Sequence, residues 1–149
     1  MSARETLRRI TALSAWAIVA ALIATPEAGA QSSVAPKNRV VIQMSDGEPA
    51  KWNLALNNAR NLQADLGAAN VEIEIVAYGP GLGMLKRDSA VATRVDEALT
   101  SGVKIVACEN TMRAQKLTQP DMLPSISYVG AGVVEIMERQ QQGWAYIRP

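Results

Sequence analysis

The chain has 149 residues, 15 Lys+Arg against 14 Asp+Glu, no histidine and one cysteine. The missing histidine excludes Ser-His and Cys-His catalysis and histidine-ligated zinc within the chain. A single cysteine excludes an intramolecular disulfide, so that thiol is packed, reactive or paired with another molecule.

Residues 1–30 read as a secretory signal peptide. Arg4, Arg8 and Arg9 form a positive start, Ala12 to Ala24 is a small-apolar stretch, and Pro26 precedes Ala28-Gly29-Ala30, an A-x-A cleavage site. The mature chain is then expected to begin near Gln31 in the periplasm. The apolar core falls short of the roughly 20 residues of a membrane span, so no stable anchor is expected after processing. Removal takes away three basic residues and two acidic ones (Glu5, Glu27), leaving 12 of each sign. No basic cluster survives to neutralise a row of phosphates, so nucleic acid is not an expected partner. A surface without net charge permits self-association.

Residues 31–38 are polar and read as a flexible leader to one domain, 39–149. Arg39 to Met44 is a β-rich run and a first strand. Ser45 to Pro49 is a loop, and Pro49 suits the first turn of a helix. Trp52, Leu54, Ala55, Leu56, Ala59, Leu62 and Leu66 then recur near helical spacing, with Asn53, Asn57, Arg60 and Asn61 tending to the other face. Gly67 closes that helix. The density of asparagine, a weak helix former, fits either an inter-subunit face or a solvated one.

Val71 to Ala77 alternates apolar residues with Glu72 and Glu74 and then turns wholly apolar, a strand whose first half has one wet face. Tyr78 to Gly83 (YGPGLG) is a glycine-rich turn. Ser89 to Ser101 reads as a helix ended by Gly102, and Val103 to Ala107 as a strand buried on both faces. Thr111 to Leu117 is a short helix and Ser127 to Val129 a brief strand. Gly132 to Gln142 is amphipathic, with Val133, Val134, Ile136 and Met137 against Glu135, Glu138, Arg139 and Gln142. Trp144 to Ile147 is a last strand. Strands alternating with helices indicate a three-layer α/β sandwich around a parallel sheet.

In such a sheet the loops beyond the strand carboxyl ends form one rim, where ligands bind. Ser45–Pro49, Tyr78–Gly83 and Cys108–Met112 should meet there. Cys108 follows its strand directly, and Asn110 or Thr111 can cap the next helix, leaving the sulfur near amides that favour thiolate. Glu109 opposes this and Arg113 and Lys116 offset it; a small packed hydrophobe is the other reading. Tyr78, Gly79, Gly81, Gly83, Asn110 and Thr111 are the candidate ligand-binding residues. The glycines match neither a Walker nor a dinucleotide pattern, and Asp46 and Glu48 would repel an FMN phosphate. No cofactor and no metal site are expected.

The segments KWNLALNNARNL, VEIEIVAYGPGLGML, SGVKIVACENTMR and GAGVVEIMERQQQGWAYIRP resemble the DsrE/DsrF-like family from Arg39 to Pro149. The most specific element is the cysteine after the third strand. The resemblance implies a flavodoxin-like fold with a mainly parallel five-stranded sheet in the order 2-1-3-4-5. It also implies assembly as a homotrimer or homohexamer, and a place in sulfur relay. Cys108 would then accept sulfur as a persulfide from a donor protein and pass it to an acceptor. Two departures stand out: relatives of known role act in the cytoplasm, and apolar residues usually follow their cysteine where Glu109-Asn110 stand here. A non-catalytic oligomeric module, binding a small ligand or a protein and holding a structural Cys108, is the alternative.

Overall fold

The computed structural model describes residues 38–149; the signal segment and almost all of the leader lie outside them. Five strands, β1 (Asn38–Met44), β2 (Val71–Ala77), β3 (Lys104–Cys108), β4 (Ser127–Val129) and β5 (Ala145–Ile147), make one sheet with every pairing parallel. Four α-helices flank it: α1 (Pro49–Leu66), α2 (Ala92–Thr100), α3 (Glu109–Ala114) and α4 (Gly132–Gln141). Pro49 does begin α1, and Gly67 at φ +84 ends it with its amide on the Gln63 carbonyl. The YGPGLG stretch is a seven-residue 3-10 helix, Gly79–Leu85, rather than an open turn.

The strand order is β4-β3-β2-β1-β5, not the expected 2-1-3-4-5. Its physical reason lies in β2, where all seven residues except Glu72 are buried. An edge position would leave that apolar surface without cover; here β1 pairs along its full length on one side and β3 on the other.

The chain therefore steps one way from β1 to β4 and then returns beyond β1 to lay down β5. Right-handed crossovers put successive same-direction connections on one face and the returning one on the other. Accordingly α1, α2, α3 and the 3-10 helix cover a large core with Val40, Ile42, Ile73, Ile75, Ile105 and Ala107. Among the described residues only α4 covers the opposite face, over a small core of Val41, Val76, Val106, Ile136 and Trp144.

On that face sits the largest departure from the alternation reading. Glu74 is not wet but fully buried. Within α4 only Gly132 and Ile136 are buried, while Val133, Val134 and Met137 are exposed. The helix turns Glu135 and Arg139 towards the sheet instead, because Glu74 waits there for a counter-charge.

Candidate functional site

Period-two alternation along β3 places Cys108 on the face of Val106, the α4 side, at the carboxyl end of the sheet. Helix α3 begins at Glu109, so Cys108 is itself the residue capping it; neither Asn110 nor Thr111 fills that role. A side chain at this position normally offers oxygen to the second and third amides of the helix, and here the sulfur stands in that oxygen's place. No full capping hydrogen bond forms from it; the donors act as dipoles converging on the sulfur.

Burial pushes the Cys108 thiol up, but the Thr111 hydroxyl and the Gly132, Thr111 and Asn110 amides outweigh it. The thiol is held below its ordinary range. Thr111 is well prepared for this. Its hydroxyl oxygen accepts the Gly79 N–H at 3.0 Å, which leaves the O–H proton free to point at the sulfur. Asn110 is a lesser donor, since its amide already serves the Gly130 carbonyl at 3.1 Å. The Gly132 amide, the first of α4, comes from the helix that covers the same face of the sheet. Sequence reasoning missed it, and the only signal was the glycine itself: a Cβ there would meet Tyr78 at 3.1 Å and Val76 at 3.2 Å.

Four of the candidate ligand-binding residues thus gather at the sulfur or its supports: Gly79 and Thr111 through their hydrogen bond, Asn110 through its amide, and Tyr78 through contact with Gly132. Gly81 and Gly83 do not join them. A Cβ at Gly81 would collide with the Met44 carbonyl, and one at Gly83 would press on the Trp52 ring. Their smallness serves the junction of the 3-10 helix with the β1–α1 loop, so that two rim segments meet by packing. Tyr78 also donates its amide to the Met44 carbonyl at 3.0 Å.

Cys108 is 4 % exposed. A shallow groove of about 370 Å³ runs beside it, lined by Asn110, Val129, Gly130, Ala131, Val134, Glu135 and Glu138. Cys108 does not itself line that groove; its neighbours Asn110 and Val129, its partner in register on β4, do. Arg113, expected to offset Glu109, instead holds the Asn110 side-chain oxygen. On α1, Asn53 and Asn57 accept the guanidinium of Arg94 and so tie α1 to α2 within the chain. Among the described residues no three His, Cys, Asp or Glu side chains are grouped to hold a metal ion.

A search of curated proteins gives no match. Among solved structures, MTH1491, a protein of unknown function from Methanobacterium thermoautotrophicum, is 42% identical, with a TM-score of 0.72 over 76% of this chain and 100% of its own. BT1422, a conserved protein of unknown function from Bacteroides thetaiotaomicron, is 17% identical with a TM-score of 0.61, over 75% of this chain and 95% of its own. The ychN protein from E. coli shares the fold at 11% identity and a TM-score of 0.61, over 76% of this chain and 99% of its own. Residues 38–149 match the DsrE/DsrF-like family, and the chain belongs to it.

Proposed function

We propose that this protein carries sulfur as a persulfide on Cys108. The observation supporting this reading is the convergence of the Thr111 hydroxyl and the Gly132, Thr111 and Asn110 amides on the sulfur. A thiolate is the nucleophile that takes sulfane sulfur from a polysulfide or a persulfidic donor. Attack forms a Cys108–S–S⁻ group and expels the donor's remaining thiolate; an acceptor thiolate reverses the step. The same donors would then face Cys108 Sγ, the inner sulfur, and the transferred terminal sulfur would enter the neighbouring groove.

The chain is further proposed to be exported, with cleavage near Gln31, and to act as a homo-oligomer. The neutral charge of the mature chain and the outward apolar stripe Val133, Val134 and Met137 on α4 support association with copies of itself.

One experiment addresses carrier and export together. Protein is recovered from the periplasmic fraction, its N-terminus is sequenced, and it is treated with polysulfide before peptide mass spectrometry. The expected result is a start near Gln31 and a gain of one sulfur atom on the Cys108 peptide, absent in Cys108→Ser. A thiol that stays unmodified and resists alkylation in the native protein would leave the binding module with a packed cysteine, a reading favoured by the 4 % exposure of Cys108. A cytosolic protein with Met1 intact would overturn the export.

A further inference from the structure

Behind α4, some distance from Cys108, lies a charged cluster that the persulfide chemistry does not use. Glu74 on β2 is fully buried. Its Oε2 lies 2.8 Å from Arg139 of α4 and 3.1 Å from Lys104, its partner in register on β3. The same Arg139 nitrogen is 2.8 Å from the Glu135 carboxylate one turn earlier. Two carboxyl groups thus share one guanidinium nitrogen. The Arg139 guanidinium lies over the Trp144 ring at 4.7 Å from its centroid, with Arg39 of β1 at 5.9 Å. Both Glu74 oxygens, Arg139 Nε and Trp144 Nε1 are buried without an aligned hydrogen-bond partner among the described residues.

Ion pairing of this kind is expensive to bury, which asks what it holds. Helix α4 has a thin apolar anchor, with Ile136 its one large buried side chain. Its seat on the sheet depends on the cluster. Gly132 and Arg139 are seven residues apart, about 10 Å along the helix. Lys104 and Cys108 are four apart, about 13 Å along β3. So α4 lies along the sheet with its first amide at the Cys108 sulfur and its Arg139 at Glu74.

We infer that Glu74 is a positioning residue for Cys108: sharing Arg139 with Glu135, its buried carboxyl fixes the helix whose first amide donates to the Cys108 sulfur. The protonated carboxyl suits this place best. Its O–H can be given to Glu135 while Oε2 accepts from Arg139 and Lys104, and burial, followed by the Glu135 carboxyl, raises Glu74 above the ordinary carboxylate range. Ionisation sets two like charges against each other under α4, with only Arg139 and Lys104 to offset them. The helix then loosens and the thiol opens. Arg39 reaches the cluster through the Trp144 ring and through Gln142, whose carbonyl accepts from Arg39 at 2.7 Å and whose side-chain oxygen accepts from Arg139 at 3.3 Å. Among the described residues Glu109 and, lining the groove with Asn110, Glu138 are further carboxylates on the Cys108 side.

The inference rests on Cys108 working as a thiolate, not on what it carries, and its test needs no sulfur donor. The rate of Cys108 alkylation by iodoacetamide is followed across pH in wild type, Glu74→Gln and Glu74→Leu. Glutamine can accept from Arg139 and donate to Glu135 at every pH, so its thiol midpoint is expected to be no higher than that of wild type. Leucine breaks the bridge, and its midpoint is expected about one pH unit above that of Glu74→Gln, roughly a tenfold loss of thiolate at neutral pH. Wild type should also show a change in rate as Glu74 ionises, which Glu74→Gln lacks. A folded Glu74→Leu protein with the Glu74→Gln profile overturns the inference. If Glu74→Leu does not fold, carbon-13 titration of wild type decides. The Cys108 Cβ signal must move where the Glu74 carboxyl titrates, because coupling between sites is reciprocal; independent titration overturns it. Failure of polysulfide loading with these shifts intact would count against the sulfur reading and leave the positioning role standing.

Discussion

Thr111 makes one hydroxyl serve two neighbours: its oxygen takes the Gly79 amide at 3.0 Å and its proton faces Cys108. Thr111→Val keeps the shape and removes both bonds. The loss of the acceptor for the half-buried Gly79 amide is expected to cost about 1 kcal/mol in urea unfolding, and the thiol midpoint should rise, whereas Thr111→Ser should behave as wild type. A valine variant with unchanged alkylation profile would remove Thr111 from the site. Because the folded thiol sits below its unfolded value, its contribution to stability is present above the unfolded value. It disappears as pH falls through the folded one. The sequence placed Cys108 correctly at the end of a strand and the start of a helix, because both signals are local. It could not show the Gly132 amide, which arrives from an element two crossovers later.

Helix α4 is the element whose orientation the sequence misled about. Its pattern is amphipathic, and apolar residues ordinarily face the core. Here the partner at the sheet is a buried acid, so Glu135 and Arg139 turn inward and Val133, Val134 and Met137 outward. Neither the burial of Glu74 nor its pairing with Arg139, 65 positions on, leaves a trace in local alternation. By contrast β1, α1 and β3 were legible from their β-rich or apolar runs, Pro49 and Gly67, although Lys104 leaves the start of β3 exposed rather than buried on both faces. The raised Glu74 fixes a sign. Its stabilising effect is complete below the unfolded carboxyl value and is lost as pH rises through the folded one. Melting of wild type and Glu74→Gln in parallel should show wild type falling behind as pH increases from acid to neutral. A gap that stays constant would mean that Glu74 does not titrate there.

At the scale of the whole molecule the two faces of the sheet are unequally covered, and neither Trp52 nor Trp144 presents a surface to a second copy. Trp52 is 8 % exposed, packs in the large core and donates Nε1–H to the Asp46 carbonyl at 2.7 Å. Trp144, 6 % exposed, lies against Arg139. Both are interior, so neither serves as an anchor for a second copy. Trp52→Ala should therefore damage the fold, by about 3–5 kcal/mol, rather than dissociate an assembly. Among the described residues the most exposed large apolar side chains are on α4, where Val133 is 57 % and Met137 49 % exposed. Light scattering of wild type at micromolar concentration is expected to give a trimer or hexamer, and Val133→Glu with Met137→Glu a folded monomer. A monomeric wild type would end the oligomer proposal. The strand order escaped sequence reasoning because the crossovers of 2-1-3-4-5 and 4-3-2-1-5 call for the same alternation of elements; only the two-sided burial of β2 separates them.

The return of the chain to β1 also sets an order in time. Val40 pairs with Ala145, more than a hundred residues away, so closing that edge is the least local event in folding and a slow one. The α4 connection that delivers the Gly132 amide belongs to the same excursion. Until it docks, Cys108 has lost one of its main donors and its cover, and is an ordinary exposed thiol at the end of a strand. The acidity of this cysteine thus depends on the docked α4, and a chain in which α4 is undocked would carry a thiol that oxidants reach without those donors.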